Sequence, residues 1–421
     1  MNTSGYIERN LAGSAREILD YFPVLVIQGA RQAGKSTFAE NLIEGSPQAK
    51  FVSFDDEATR AAFLRDSLLF LNQADSTLVI DEVQRLPEAL LAIKSSVDND
   101  RRPGRFILTG SSNLLDLKGA PDSLAGRAAT LELRGFSQGE LAGRKEDFFA
   151  AAQKENYQFS EYATAINRDG YLDLFLQGQY PVVRDYPARM RSTWYTNYMR
   201  QLFQKDIADI NTRISSNLLN SLFGLLAANQ AGEMVKGRYA QQLGISPRTC
   251  AEYYAVLKTM YLVSDLPSWS NNLTTRQVAR SKCVIGDTAL VLQKTRTGRN
   301  QLADLLQPTI LGAATEGFVI TELLRQKTWS ELDYELYHYR DRLGNEVDCI
   351  VEFADGRIIL IEIKSSTTYS GQQFKGIDYL AKKLGDRFVA GFVLGMAPNA
   401  YQYACNIWGL PIAALWEYDS R

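Results

Sequence analysis

Eight consecutive residues, Gly29-Ala30-Arg31-Gln32-Ala33-Gly34-Lys35-Ser36, fit the spacing GxxxxGK[ST] without a mismatch. Each residue type in that spacing has a physical task. Gly29 and Gly34 let the backbone fold tightly enough for its N–H groups to point inward at a phosphate. Lys35 brings a positive charge to the β- and γ-phosphates, and the Ser36 hydroxyl is a ligand for Mg²⁺. Thr37 follows in a helix whose positive N-terminal end adds to the cradle. The expected nucleotide-binding set is therefore Gly29, Ala30, Arg31, Gln32, Ala33, Gly34, Lys35, Ser36 and Thr37.

A second cluster of chemistry follows downstream. Leu78-Val79-Ile80-Asp81-Glu82 reads as an apolar strand ending in two acids. Asp81 suits the Mg²⁺ shell, and Glu82 lies where a water attacking the γ-phosphate can be polarised. A third strand, Phe106-Ile107-Leu108-Thr109, ends in Gly110-Ser111-Ser112-Asn113, where Ser112 and Asn113 can sense the γ-phosphate or the water. Arg127, in Leu124-Ala125-Gly126-Arg127, is a candidate charge stabiliser, within its own subunit or across an interface. A structural ion pair is the equal alternative for it.

Together these residues resemble the ATPases associated with diverse cellular activities (AAA+). Asp81-Glu82 followed by Val83-Gln84, and Leu124-Ala125-Gly126-Arg127 after the Gly-Ser-Ser strand end, are similar to one prokaryotic group that pairs this ATPase with a C-terminal domain of unknown function. That group carries a Pro-hydrophobic-Ser-Phe stretch after the arginine; here Leu133-Arg134-Gly135-Phe136-Ser137 departs from it. The resemblance implies ATP rather than GTP, no NKxD guanine-reading motif contradicts it, and it also implies a homo-oligomer, a ring or a dimer.

The last third holds a carboxylate–lysine set. Glu346-Val347-Asp348-Cys349-Ile350-Val351 precedes Ile361-Glu362-Ile363-Lys364, with thirteen residues between Asp348 and Glu362. On a strand of period two, Glu362 and Lys364 point to the same face, and Asp348 reaches that spot from the neighbouring strand. Asp348 and Glu362 would hold Mg²⁺ while Lys364 sits beside the attacking water, the chemistry of metal-assisted phosphodiester hydrolysis. This D-x13-E-x-K arrangement resembles the PD-(D/E)xK nuclease core, which often adds a glutamate from a preceding helix. Glu316 suits that role, with Glu322 as the substitute. Alternating charge on a solvated strand edge is the plainer alternative, although the surrounding run Ile358-Ile359-Leu360-Ile361-Ile363 is apolar enough to bury both groups.

These residues need elements to position them. In the first third, Val24–Gln28, Phe51–Phe54, Thr77–Ile80 and Arg105–Thr109 read as short apolar strands separated by helices, the first at Ser36–Ile43. That alternation predicts a parallel sheet covered on both faces. From about Leu141 to Arg280 strand-like runs vanish and aromatic-rich helical spacing takes over, as in Trp194, Tyr195, Tyr198, Leu202 and Phe203. Tyr239 to Val263 predicts a helix-turn-helix, with Ala240 and Leu243 in the first helix, Gly244 at the turn and Pro247 opening the second. Arg248 and Lys258 would offer that second helix a basic face, whereas Tyr253, Tyr254, Val256 and Leu257 read as core or interface, so both a DNA-reading and a structural winged helix fit. Arg184, Arg189, Arg191, Arg200 and Lys205 form a more basic stretch that could meet nucleic acid or pair with acids in the chain. In the last third, Tyr334–Tyr339, Glu346–Phe353, Arg357–Lys364 and Phe388–Leu394 read as strands, with helices at Thr315–Gln326 and Phe374–Leu384.

Composition bounds the chemistry. The 421 residues include 46 lysines and arginines against 48 aspartates and glutamates, a net charge of −2 that lacks the global electrostatic footprint of a dedicated nucleic-acid binder. The single histidine, His338, excludes metal sites that need two imidazoles from one chain. Set between Tyr337 and Tyr339, it reads as a packed side chain rather than a catalyst. Cys250, Cys283, Cys349 and Cys405 are scattered, as reduced thiols of a cytoplasmic protein are. No apolar run approaches the roughly 18 residues needed to span a bilayer, and the polar start Met1 to Leu11 does not resemble a signal peptide.

The expectation is an α/β protein in three parts. Residues 1–140 would be an AAA+-like P-loop parallel-sheet ATPase, 141–280 a helical middle with a winged-helix element, and 281–421 an α/β domain like the PD-(D/E)xK nucleases. Its expected function is ATP hydrolysis with Mg²⁺ coupled to action on DNA. The alternative is a nucleotide-controlled switch whose C-terminal domain binds a protein or DNA partner without cutting it.

Overall fold

The computed structural model describes residues 5–111, 124–206 and 214–418. The chain divides into two compact units, Met1–Phe136 with Thr259–Leu262, and Ser137–Lys258 with Val263–Arg421. The helical middle and the last third, read apart in the sequence, fall within the same unit.

The first unit is built on five parallel strands, β1 (Val24–Gln28), β2 (Lys50–Ser53), β3 (Leu78–Asp81), β4 (Phe106–Gly110) and β5 (Ala128–Glu132), in the order β2-β3-β4-β1-β5. Every residue of β1, β3 and β4 is buried, which is why those strands read as continuous apolar runs. The helix after β1 covers Lys35–Leu42. Strand β5 carries no apolar run because it is a half-exposed edge, and the sequence gives no signal for it. Only β4 separates β1 from β3. The loop leaving β1 and the acids ending β3 therefore meet at the carboxyl edge of the sheet, where α/β folds place their ligands.

The second unit contains a six-stranded mixed sheet. Its strands are β8 (Tyr334–Arg340), β9 (Glu346–Phe353), β10 (Ile358–Ile363), β11 (Phe388–Gly395), β12 (Tyr401–Ala404) and β13 (Ile407–Pro411), in the order β12-β13-β11-β10-β9-β8. Strands β8, β9 and β10 are antiparallel, while β10–β11 and β11–β13 are parallel. The central strand β10 is buried throughout because both faces are covered. Ile359, Ile361 and Ile363 pack with Phe318, Val319 and Leu323 of the helix Pro308–Gln326. Ile358 and Leu360 pack with Ile377, Leu380 and Leu384 of the helix Lys375–Leu384.

The middle of the chain is helical as expected, with one addition. Helices Ser216–Ala228, Lys236–Leu243 and Pro247–Thr259 follow one another, Gly244 turning the chain at φ 68°. They lead into an antiparallel pair, β6 (Val263–Leu266) with β7 (Lys282–Ile285), that the sequence does not announce. A buried polar network joins the middle helices to the helix Pro308–Gln326. Gln179 Nε2 donates to Glu322 Oε1 at 2.9 Å, Arg325 Nη2 donates to Gln179 Oε1 at 2.6 Å, and Arg325 Nη1 donates to Glu322 Oε1 at 3.0 Å. Among the described residues, no helix is long and apolar enough to cross a membrane.

Candidate functional site

The loop Gly29–Gly34 owes its path to close contacts. A Cβ on Gly29, whose φ is 150°, would lie 2.2 Å from the Leu133 carbonyl oxygen, so no side chain fits there. Gly34 takes φ 93° and Gln32 φ 65°. Arg9 straps the loop from outside the motif, donating to the Ala33 carbonyl at 3.3 Å and the Arg134 carbonyl at 2.7 Å. Nothing in the sequence singles Arg9 out, since its partners are backbone oxygens distant along the chain.

Lys35 is buried, and its Nζ donates to the carbonyls of Gly29 at 3.1 Å and Ala30 at 2.9 Å. Burial pushes its ammonium down to about 8, against the pull of Glu82 and Asp81. Ala30 and Arg31 are half-buried, Ala33 is buried, and Gln32 and Thr37 are exposed. Ser36 Oγ donates to Asp81 Oδ1 at 2.7 Å. Asp81 also accepts from Thr109 Oγ1 at 2.5 Å and, on its other oxygen, from Ser53 Oγ at 3.2 Å. The β3 carboxylate is thereby aimed at the helix that follows the loop.

Glu82 stands in the left-handed region at φ 53°, a conformation that costs on the order of 1–3 kcal/mol and collects at functional sites. Its N–H donates to Thr109 Oγ1 at 3.2 Å, and its carboxylate accepts from Gln84 Nε2 and from Ser111 Oγ at 3.4 Å. Ser112 and Asn113 lie outside the described residues.

Arg127 is not brought to this loop in its own chain. Strand β5 runs parallel to β1 with Ala128 beside Val24 and Glu132 beside Gln28, so Arg127 sits at the opposite end of the sheet. Arg127 is level with Pro23, six residues short of Gly29, so at about 3.3 Å per residue the separation is roughly 20 Å. Its guanidinium instead grips Asp98 in two bonds, at 2.7 and 2.9 Å, and the Ala125 carbonyl at 3.0 Å. The ion-pair alternative describes what it does within this chain.

The second set of candidates does converge. The β9–β10 register pairs Cys349 with Ile361, so the next residues along, Asp348 and Glu362, are neighbours. Lys364 Nζ donates to Glu362 Oε2 at 2.8 Å and to Asp348 Oδ2 at 3.4 Å, and the Ile363 N–H donates to Asp348 Oδ2 at 2.9 Å. Of the two helix glutamates, Glu316 belongs to this corner. Glu322 does not, since it is wholly buried against Arg325, Gln179 and the Gln138 N–H.

The residue sequence reasoning missed is Lys282, on β7. Its buried ammonium lies 2.6 Å from Glu316 Oε1, 3.2 Å from Glu346 Oε1 and 3.7 Å from Asp348 Oδ1. Burial raises the Asp348 carboxyl, but Lys364 and Lys282 outweigh it and hold Asp348 below its usual range. Burial, then repulsion from Asp348, pushes Glu316 up to about 7 and Glu362 well above its ordinary value. The donors are hard oxygens of the kind Mg²⁺ takes. The point on which the Glu316, Glu346 and Asp348 carboxylates close, however, is filled by the Lys282 ammonium, and among the described residues no group of three or more Asp, Glu, His or Cys side chains is placed to hold a metal ion. The corner as folded therefore does not fit a divalent ion.

His338 is buried, with Nε2 against the Arg280 carbonyl at 2.9 Å and a pKa lowered by burial, in keeping with a packed role. In the second helix of the middle segment, Arg248 pairs with Glu252 at 3.3 Å and Lys258 with Asp265 at 2.6 Å. Tyr253, Tyr254, Val256 and Leu257 are buried. In the basic stretch, Arg184 pairs with Asp185 and Arg191 donates to the Tyr186 carbonyl, while Arg189 and Arg200 are exposed.

Three family models match successive stretches of the chain. Residues 21–142 match the AAA domain family, residues 168–301 a domain of unknown function (DUF8612), and residues 311–415 another domain of unknown function (DUF4143). The chain is similar to uncharacterised proteins of Mycobacterium tuberculosis and Mycobacterium bovis. Each is 29% identical over 368 residues, spanning 86% of this chain and 75% of the relative. Among solved structures it is similar to the Walker-type ATPase of Pyrococcus abyssi, at 13% identity and a TM-score of 0.44, over 70% of this chain and 97% of that one. It is also similar to the Holliday junction branch migration motor of Thermotoga maritima, at 17% identity and a TM-score of 0.28, over 61% and 89%. The N-terminal unit carries an AAA-type P-loop domain.

Proposed function

We propose that the N-terminal unit binds ATP with Mg²⁺ and hydrolyses it, and that its nucleotide state controls what the rest of the chain binds. The observation that carries this reading is the Ser36–Asp81 hydrogen bond across the phosphate-binding loop. Ser36 and Asp81 are the residues that would hold Mg²⁺, one hydroxyl and one carboxylate, with waters completing the shell. Bound there, the metal would neutralise charge on the phosphate oxygens. The backbone N–H groups of the loop hold the phosphates, and Lys35, already low in proton affinity through burial, takes its charge onto them. Glu82, held rigid by Thr109, Gln84 and Ser111, orients the attacking water. Lys35→Ala tests this: ATP turnover should vanish in folded protein, and persistent turnover overturns the reading.

For the C-terminal unit, the meeting of Glu316, Asp348, Glu362 and Lys364 supports a nuclease-like core. The Lys282 ammonium among those carboxylates favours a core that engages DNA or a protein partner without cutting. The two-helix turn leading into β6 and β7 supports a winged-helix element, and the pairing of Arg248 and Lys258 with acids supports a structural use of it. Linear, circular and branched DNA should stay intact with Mg²⁺ or Mn²⁺, in wild type and in Glu362→Ala/Lys364→Ala alike. Strand scission by wild type that the double variant lacks would replace this reading with a nuclease.

A further inference from the structure

The carboxylates of Glu316, Glu346, Asp348 and Glu362 crowd one corner of the second unit, and three of them sit within 3.7 Å of a single ammonium, that of Lys282. Its side chain is 6% exposed, so water screens little of that charge. The backbone that delivers it is fixed. Lys282 lies on β7 opposite Leu266, bridges to Glu233, and is followed by a Cys283 N–H bond to the Gly232 carbonyl at 2.9 Å. Lys364 approaches Asp348 through its other oxygen, Oδ2, at 3.4 Å, and Glu362 at 2.8 Å. Two ammonium groups thus supply the same total charge as one divalent cation. They supply it from the protein.

An Mg²⁺ or Mn²⁺ ion on the Glu316 and Asp348 oxygens would need distances of about 2.0–2.2 Å. Lys282 Nζ is already 2.6 Å from Glu316 Oε1. A metal bound to that oxygen would lie within van der Waals reach of a positively charged nitrogen, with low-dielectric surroundings strengthening the repulsion. The two cations exclude each other.

We propose that Lys282 is the built-in cation of this corner, taking the place of a divalent ion, so that the corner keeps its carboxylates gathered without metal. Lys282 is a positioning residue here: it holds Glu316, Glu346 and Asp348 in place. This goes beyond the nucleotide reading and is independent of it, because its test uses neither ATP nor DNA.

The test is a titration of full-length protein with MnCl2 alone, read by the electron paramagnetic resonance of free Mn²⁺ and by thermal unfolding. Wild type and Lys282→Arg should show no Mn²⁺ ion that Asp348→Asn removes, and no shift in unfolding temperature. Lys282→Ala should unfold at a lower temperature, recover on adding Mn²⁺, and bind one ion at least about tenfold tighter than wild type. Adding Asp348→Asn to Lys282→Ala should abolish both effects. Lys282→Gln, which keeps bulk and polarity, serves if the alanine variant does not fold. The proposal is overturned if wild type binds an Mn²⁺ ion that Asp348→Asn removes, or if neither neutral variant gains one. Either result leaves the ATP assignment standing, whereas an active Lys35→Ala protein would remove that assignment and leave this one.

Discussion

Ser36 Oγ and Asp81 Oδ1 are joined by a 2.7 Å hydrogen bond between the helix after β1 and the end of β3, two strands separated by β4. Thr109, on β4 itself, donates to the same carboxylate oxygen. The bond spans the space an Mg²⁺ ion would enter, so the two side chains act as one unit. Ser36→Ala and Asp81→Asn should each lower ATP turnover by about a hundredfold or more, and the double variant should lose little beyond the worse single one. Steady-state turnover across an Mg²⁺ titration reads this. Wild-type rates for Ser36→Ala at limiting Mg²⁺ would remove Ser36 from the metal shell.

The phosphate loop and the Asp81-Glu82 pair were legible because local spacing carries them: a turn demands Gly29, and an apolar run marks β3. Asp348, Glu362 and Lys364 were legible for a similar reason, the period of two along β10 and its neighbour. Glu316 was read as the helix carboxylate of that corner with Glu322 as the substitute, and Glu316 is the one that lies there, although spacing alone does not decide between them. Six residues apart on a helix, they are turned about 240° from one another, and only packing decides which one faces the sheet. Lys282 was invisible because β7 is short, follows no apolar run and belongs to a two-stranded pair with β6. The placement of Arg127 depends on the β1–β5 register, which motif spacing does not encode.

Arg127 and Asp98 form a two-bond ion pair at the end of the sheet away from the phosphate loop. Arg127→Ala should therefore leave ATP turnover of dilute protein within about twofold of wild type, since no transition-state contact is removed. Were Arg127 to act across a subunit interface, the variant would instead fall increasingly below wild type as protein concentration rises. Turnover measured over a wide range of protein concentration separates the two. Loss at every concentration, in a variant that unfolds like wild type, would mean that Arg127 reaches its own nucleotide.

Glu322 and Arg325 are 0% and 1% exposed and share Gln179 as a third partner. Removing the carboxylate alone leaves a buried guanidinium with a lost counter-charge, a change that costs about 3–5 kcal/mol in comparable buried pairs. Glu322→Ala should lower the denaturant midpoint accordingly. Glu322→Gln should cost less, because its amide oxygen can still accept from Arg325 or the Gln138 N–H. An alanine variant that unfolds at the wild-type midpoint would show the network to be dispensable.

Glu146 gives the fold a pH dependence of defined sign. The side chain is 4% exposed and packs so closely on Gly139 that a Cβ there would lie 1.9 Å from Glu146 Oε2. Burial pushes its carboxyl up to about 8, helped by the nearby charges of Glu322 and Glu140 and opposed by a hydrogen bond with Ser137. A carboxyl whose folded pKa is raised binds its proton more tightly in the folded state. Its contribution is fully present below the unfolded value of 4.5 and is lost as pH rises toward 8. Each pH step of one between those limits removes about 1.4 kcal/mol, so the whole loss is a few kcal/mol at most. Glu146→Gln, neutral at every pH, should flatten the stability profile between those limits and leave the variant relatively more stable at the alkaline end. Glu316, raised to about 7, contributes to both proteins and cancels in the difference. Denaturant unfolding of wild type and Glu146→Gln from pH 5 to pH 9 measures it, and parallel profiles would mean that Glu146 is ionised in the folded chain.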